Sequence, residues 1–188
     1  MSDDSPAALA RQLAAAFAVP AELVGELADL HRRQWNLEDL ARQPGASADR
    51  IAAAKAEIDA SNTTRHRLID SIDAHATVAS SGLPGRYYSE TIGEMCDRLL
   101  ILDLKRRALA ALPPWDRPAD SGGPAGLQGI TAVCRHLSAV IGQLLEDVAA
   151  GRAELPPRVG VKVYNGSTTD DAAVMSNPLV IPSSAAGG

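Results

Sequence analysis

From Ser47 to Val78 the chain carries neither glycine nor proline. Ser47 is a good N-cap and Asp49 places an acid in the first turn, so the stretch reads as one continuous helix of roughly thirty residues. In a folded protein such a helix draws most of its stability from burying a face against other helices. The rest of the chain can supply them. Aromatic residues make up only 3% of the 188 residues, alanine and leucine are abundant, and strand formers are thin before the C-terminal stretch, so no large sheet is expected.

Ser5-Pro6 opens a short Ala-rich helix to about Ala18. Pro20 starts a longer one through Leu23, Leu27, Leu30 and Leu37 to Arg42, which Gln43-Pro44-Gly45 ends. After the loop from Ser80 to Gly85, Thr91-Ile92-Gly93-Glu94 has the form of a capping box. The run Leu99-Leu100-Ile101-Leu102 behind it is apolar on every side, as in a central helix, and Pro113-Pro114 stops it. Trp115 to Pro124 reads as linker. Beyond it Leu127, Ile130, Cys134, Leu137, Ile141, Leu144 and Val148 trace a helical stripe that Gly151 closes. From Leu155 the composition turns to Pro, Gly, Ser and Thr, with one strand-like piece from Val159 to Tyr164. The expected fold is all-α, a bundle of four main helices plus a short N-terminal helix over residues 1–152. An extended, partly disordered C-terminal arm over residues 153–188 follows.

Charge and cysteine usage narrow the function classes. The net charge is -5 and no basic run with interleaved aromatics occurs, which argues against nucleic acid as a partner. No apolar run approaches the ~20 residues needed to span a bilayer, and the acidic start Met1-Ser2-Asp3-Asp4 has no basic leader, so no membrane partner and a cytoplasmic location are expected. Cys96 and Cys134 lie in apolar helical patterns without a Cys-x-x-Cys pair and read as free, buried thiols rather than metal ligands or a nucleophile. Glu-x-x-His pairs, His-x-x-x-His and the Gly-rich phosphate and hydrolase fingerprints are all missing, so neither metal nor cofactor is expected.

The long helix is unusual along one face. Positions 51, 55, 58, 62, 65, 69, 72 and 76 follow 4-3 spacing and read Ile51, Lys55, Ile58, Asn62, Arg65, Ile69, Ile72 and Ala76. Polar residues sit where a packed helix should be apolar, and an unpaired buried charge costs several kcal/mol, so these residues need carboxylate partners or an anionic ligand. His31, Trp35, Glu38 and Arg42 share a face of the preceding helix, and Glu94, Asp97, Arg98, Ile101 and Lys105 flank the following one. An internal salt-bridge lattice that fixes helix register, or a seam at a homodimer interface, is the structural alternative to a site. Asp59, Asp70 and Asp73 read as solvated or helix-pairing, and His75 and His136 as surface residues. Ser89-Glu90-Thr91, at a helix start, could hold an anion or simply cap.

Three pieces of this pattern resemble the bacterial domain-of-unknown-function family 4254. They are Trp35-x-x-Glu38-x-x-x-Arg42, Lys55-x-x-Ile58-Asp59-x-x-Asn62-x-x-Arg65 with Ile72-Asp73, and Ser89-Glu90-Thr91-x-Gly93-x-x-x-Asp97-Arg98-Leu99. Tyr164-Asn165 and Asn177-Pro178 look like the family's tail. The resemblance implies a helical fold and a setting near glycosyltransferase and natural-product genes. Two departures stand out: His66 follows Arg65 where the family usually has Asn, and Arg106-Arg107 follows Lys105 where apolar residues are usual.

Together these readings lead to an expected small-molecule biosynthesis protein. An anionic substrate would sit in a polar pocket between helices, bound by Trp35, Lys55, Asn62, Arg65, His66, Ser89, Glu90, Thr91, Arg98 and Lys105. Glu38, His31 or Asp97 would act as acid or base in cofactor-free isomerisation, elimination or group transfer. The alternative is a non-catalytic helical partner of a glycosyltransferase or other biosynthetic enzyme. A homodimer is expected in either case, because four helices with so few aromatics leave apolar faces to cover.

Overall fold

The computed structural model of the chain describes residues 5–76, 85–112 and 126–156. Its helices are α1 (Pro6–Ala16), α2 (Ala21–Ala41), α3 (Ala48–His75), α4 (Ile92–Ala111) and α5 (Leu127–Ala149). The protein is thus all-α, a bundle of four main helices preceded by a short one, as the spacing of apolar residues implies. Helix α3 stops at His75, with Ala76 as its C-cap, short of the expected Val78; most of the Ser80 to Gly85 loop, the Trp115 to Pro124 linker and the tail with Val159 to Tyr164 lie outside the described residues.

The helix starts follow the capping chemistry of the sequence. Ser5 Oγ accepts from the Ala8 amide and Ser47 Oγ from the Arg50 amide. At α4 the capping box is complete: Thr91 Oγ1 accepts from the Glu94 amide at 3.2 Å while Glu94 Oε2 accepts from the Thr91 amide at 2.8 Å. Past α5, Gly151 takes φ +67°, the left-handed conformation in which glycine lacks the steric penalty of other residues.

Side-chain contacts fix the relative directions of α2, α3 and α4. Gln34 on α2 meets Ser61 and Asn62 on α3, while His31, three residues earlier, meets Asp97 alongside Arg65, three residues later. Asp73, still later on α3, reaches Gly93 at the start of α4. Hence α3 is antiparallel to both neighbours, and α2 runs parallel to α4. The core between them is filled by Leu27, Leu30, Ile72, Ile92, Leu99 and Leu144, each under 2% exposed. Burying such a side chain is worth about 1.5–3 kcal/mol, and these contacts rather than helix propensity hold the bundle together. Cys96 is fully buried and burial pushes its thiol up to about 12, consistent with an inert core residue, whereas Cys134 is only half-buried.

One small element was not foreseen. Arg86–Tyr87 (β1) and Ala153–Glu154 (β2) pair as a two-residue parallel ladder, and Arg86 N donates to Arg152 O at 2.7 Å. Asp147 on α5, 2% exposed, binds the same corner. Tyr88 Oη donates to it at 2.8 Å, and Arg152 and Arg86 lie 3.1 and 3.4 Å away. The first residues of the expected arm are therefore packed against the bundle, with Ala153 buried.

Candidate functional site

The seam on α3 faces inward where α2 and α4 flank it, and its centre is an ion cluster. Arg65 Nε donates to Asp97 Oδ1 at 2.7 Å, and its Nη2 donates to Oδ2 of the same carboxylate. His31 Nε2 lies 2.9 Å from Asp97 Oδ1. The side chains of His31 and Asp97 are 4% and 9% exposed, and that of Arg65 is 28% exposed. Burial alone would raise the Asp97 carboxyl. The hydrogen bonds and charges of Arg65 and His31 outweigh it and hold the group below the usual carboxylate range. The same hydrogen bonding to Asp97 raises the Arg65 guanidinium.

A carboxylate can only accept, so Nε2 carries the proton of the His31–Asp97 bond. Among the described residues His31 Nδ1 has no hydrogen-bond partner. An imidazole oriented by a buried acid, with its second nitrogen unused, is the arrangement from which general acid or base chemistry is built.

One turn along, Gln34 donates to Ser61 Oγ at 2.7 Å and to Asn62 Oδ1 at 2.9 Å. Asn62 thus faces inward as its seam position requires, while Gln34 and Ser61 escaped the sequence reading. Neutral amides and hydroxyls carry no charge that must be matched, so nothing in their spacing marked them. Buried Asp103 also escaped, although Asp103-x-x-Arg106-Arg107 is legible as i,i+3 and i,i+4 pairing. Arg106 and Arg107 bind that carboxylate at 3.1 and 2.5 Å, which accounts for their place after Lys105.

Several expected site residues lie elsewhere. Arg98 is half exposed and pairs with Glu90 at 2.5 Å, turned from the seam because it follows Asp97 by one helical step of ~100°. Glu38 pairs with Arg42 at 2.7 Å near the end of α2. Lys55 and His66 are on the exposed side of α3. Thr91 is occupied in capping, and Ser89 beside it is exposed. Asp59, His75 and His136 are exposed, and Asp73 accepts from the Gly93 amide at 2.6 Å, a helix-pairing role. No single volume collects Lys55, Arg65, Arg98 and Lys105.

Trp35 and Lys105 do meet at a cavity. A cleft of about 560 Å³ opens between α2, α4 and α5, with Trp35 and Asp39 on one wall, Lys105 and Leu109 on another and Ile130 and Val133 on the third. Its size falls within the ~300–1,000 Å³ of small-molecule sites, and its lining is apolar apart from the two charges. Among the described residues no group of His, Cys, Asp and Glu is placed to hold a metal ion. No helix among them is long and apolar enough to cross a membrane.

Fold and site together define a helical-bundle protein with a buried His–Asp–Arg cluster below an aromatic-walled cleft. The chain belongs to the DUF4254 family of proteins of unknown function, whose model matches residues 21–156, from the start of α2 through β2. No curated protein and no solved structure matches it.

Proposed function

We propose that the protein binds a small anionic molecule with an apolar body in the cleft between α2, α4 and α5. The observation that carries this reading is the joint presence of Trp35 and Lys105 on facing walls of a cavity of about 560 Å³. The indole offers a flat stacking surface, the leucines and valine take up apolar area, and the ammonium fixes an acidic group. In the biosynthetic setting implied by the family resemblance, such a cleft would serve a cofactor-free isomerisation, elimination or group transfer. His31, held by Asp97 one turn before Trp35, does not line the cleft itself, so acid or base action by it would require a substrate that reaches past the indole.

Anilinonaphthalene sulfonate, an aromatic anion, tests the binding step. Saturable fluorescence enhancement is expected with the folded protein, weakened about fivefold in Lys105→Ala and about tenfold in Trp35→Ala. Unchanged affinity in both variants, with native circular dichroism, would place the probe elsewhere and remove the reading.

A second reading rests on a specific observation: the seam is largely closed. Arg65 and Asn62, at its centre, both have partners, as an internal lattice would require. On this reading the protein is a non-catalytic partner of a biosynthetic enzyme such as a glycosyltransferase. Leu112 and Val133, 38% and 39% exposed beside the cleft, would be covered by protein. A second copy of the chain is the simplest cover. Light scattering at micromolar concentration should then report a dimer, and a monomer there would exclude it.

A further inference from the structure

The cleft holds two charges of opposite sign, and they stand at one level of the bundle. His31 on α2 faces Asp97 on α4. Asp39 lies eight residues beyond the first and Lys105 eight beyond the second. Because α2 and α4 run parallel, both side chains sit about 12 Å past the ion cluster, where both line the cleft. Yet they make no ion pair with each other, and among the described residues neither has any other charged partner. Their neighbours behave differently: Glu38 is matched by Arg42, and Asp103 by Arg106 and Arg107.

A purely anionic ligand meets Lys105 favourably and Asp39 unfavourably, and these contributions nearly cancel at similar distances. A ligand with an acidic and a basic group on neighbouring atoms satisfies both. We infer that the cleft selects a zwitterion with an apolar body, the head group held between Asp39 and Lys105 and the body lying against Trp35, Leu109 and Val133. The inference rests on the proposed binding role of the same cleft and adds Asp39 as a specificity-determining residue. It identifies the ligand as an apolar α-amino acid or a similarly compact ammonium–carboxylate or ammonium–phosphate head.

Three probes of equal chain length separate the cases: α-aminododecanoic acid, dodecanoate and dodecylamine, each competing with anilinonaphthalene sulfonate below its aggregation concentration. The zwitterion is expected to bind about fourfold tighter than either singly charged probe, a modest factor because both charges are solvent-exposed. Asp39→Asn should remove its advantage over dodecanoate, and Lys105→Gln its advantage over dodecylamine. If dodecanoate binds at least as tightly as the zwitterion and gains affinity in Asp39→Asn, selection for a zwitterion is wrong while anion binding stands. If none of the three displaces the dye, both readings fall.

Discussion

Replacing Asp97 with alanine should lower stability by about 3 kcal/mol, because it leaves a buried imidazole and a largely buried guanidinium without their shared counter-charge. For a chain of this size the thermal midpoint should fall by roughly 6–12 °C in a calorimetric or circular-dichroism melt. Arg98→Ala, one residue on, removes only an exposed pair with Glu90 and should stay within about 0.5 kcal/mol of the parent. Equal losses in the two variants would contradict the burial asymmetry on which the site rests.

The same carboxylate sets an acid dependence whose sign follows from linkage. Asp97 titrates lower in the folded protein than in the unfolded chain. Its contribution is therefore present in full above the ordinary carboxylate range near ~4 and is lost as pH falls through the folded value. Asp97→Asn should flatten the stability profile below pH ~5. Some slope should persist, since Asp147 is also held low, chiefly by the Tyr88 hydroxyl.

Gly93→Ala should be far more damaging than the same change at Gly25 or Gly142. A Cβ there would lie 2.6 Å from the Ile69 carbonyl oxygen and 3.0 Å from both Asp73 Oδ1 and Ile69 Cγ2. The nearest atom is helix backbone, so relief requires α3 and α4 to separate, which also strains the Asp73 bond to the Gly93 amide. A net loss of about 2–3 kcal/mol is expected in chemical denaturation, even after the ordinary helix preference for Ala over Gly. Gly25→Ala and Gly142→Ala provide the opposite sign. Nothing lies within 4 Å of their added Cβ, and each should stabilise by up to about 1 kcal/mol. A neutral Gly93→Ala would mean that the α3–α4 approach is looser than described.

These cases show where the sequence was informative. Caps and stops are local, so Ser5, Ser47, the Thr91–Glu94 box and Gly151 marked helix ends that the structure reproduces. The inward turn of Asn62 and Arg65 was legible because polar residues interrupted an apolar period. The stretch opposite Arg65 on the following helix was legible as Asp97-Arg98, but which of the two answers it was not, nor was Gln34 as the partner of Asn62. Asp97 and Arg98 differ by one helical step, and only the packing of α3 on α4 decides which of them faces in. Glu38 and Asp39 present the same ambiguity at the cleft, where Asp39 forms part of the wall. Lys55 belongs to the 4-3 row, but counting back along α3 from the Asp73–Gly93 contact puts it level with the last turn of α4, where the partner helix ends. A period describes a face and cannot report how far a neighbour extends along it.

The short ladder between β1 and β2 bears on where the cooperative unit ends. It joins chain segments on either side of the α4–α5 pair, so the last turn of α5 is not a free terminus that can fray from its end. Tyr88 N donates to Glu154 O and Arg152 N to Asp147 O, and Asp147 is gripped from both segments. The hydrogen bonds of the Arg86, Tyr88 and Arg152 amides therefore tie the end of α5 to the segment before α4. Contact with the bundle thus extends past the glycine stop of α5 as far as Glu154.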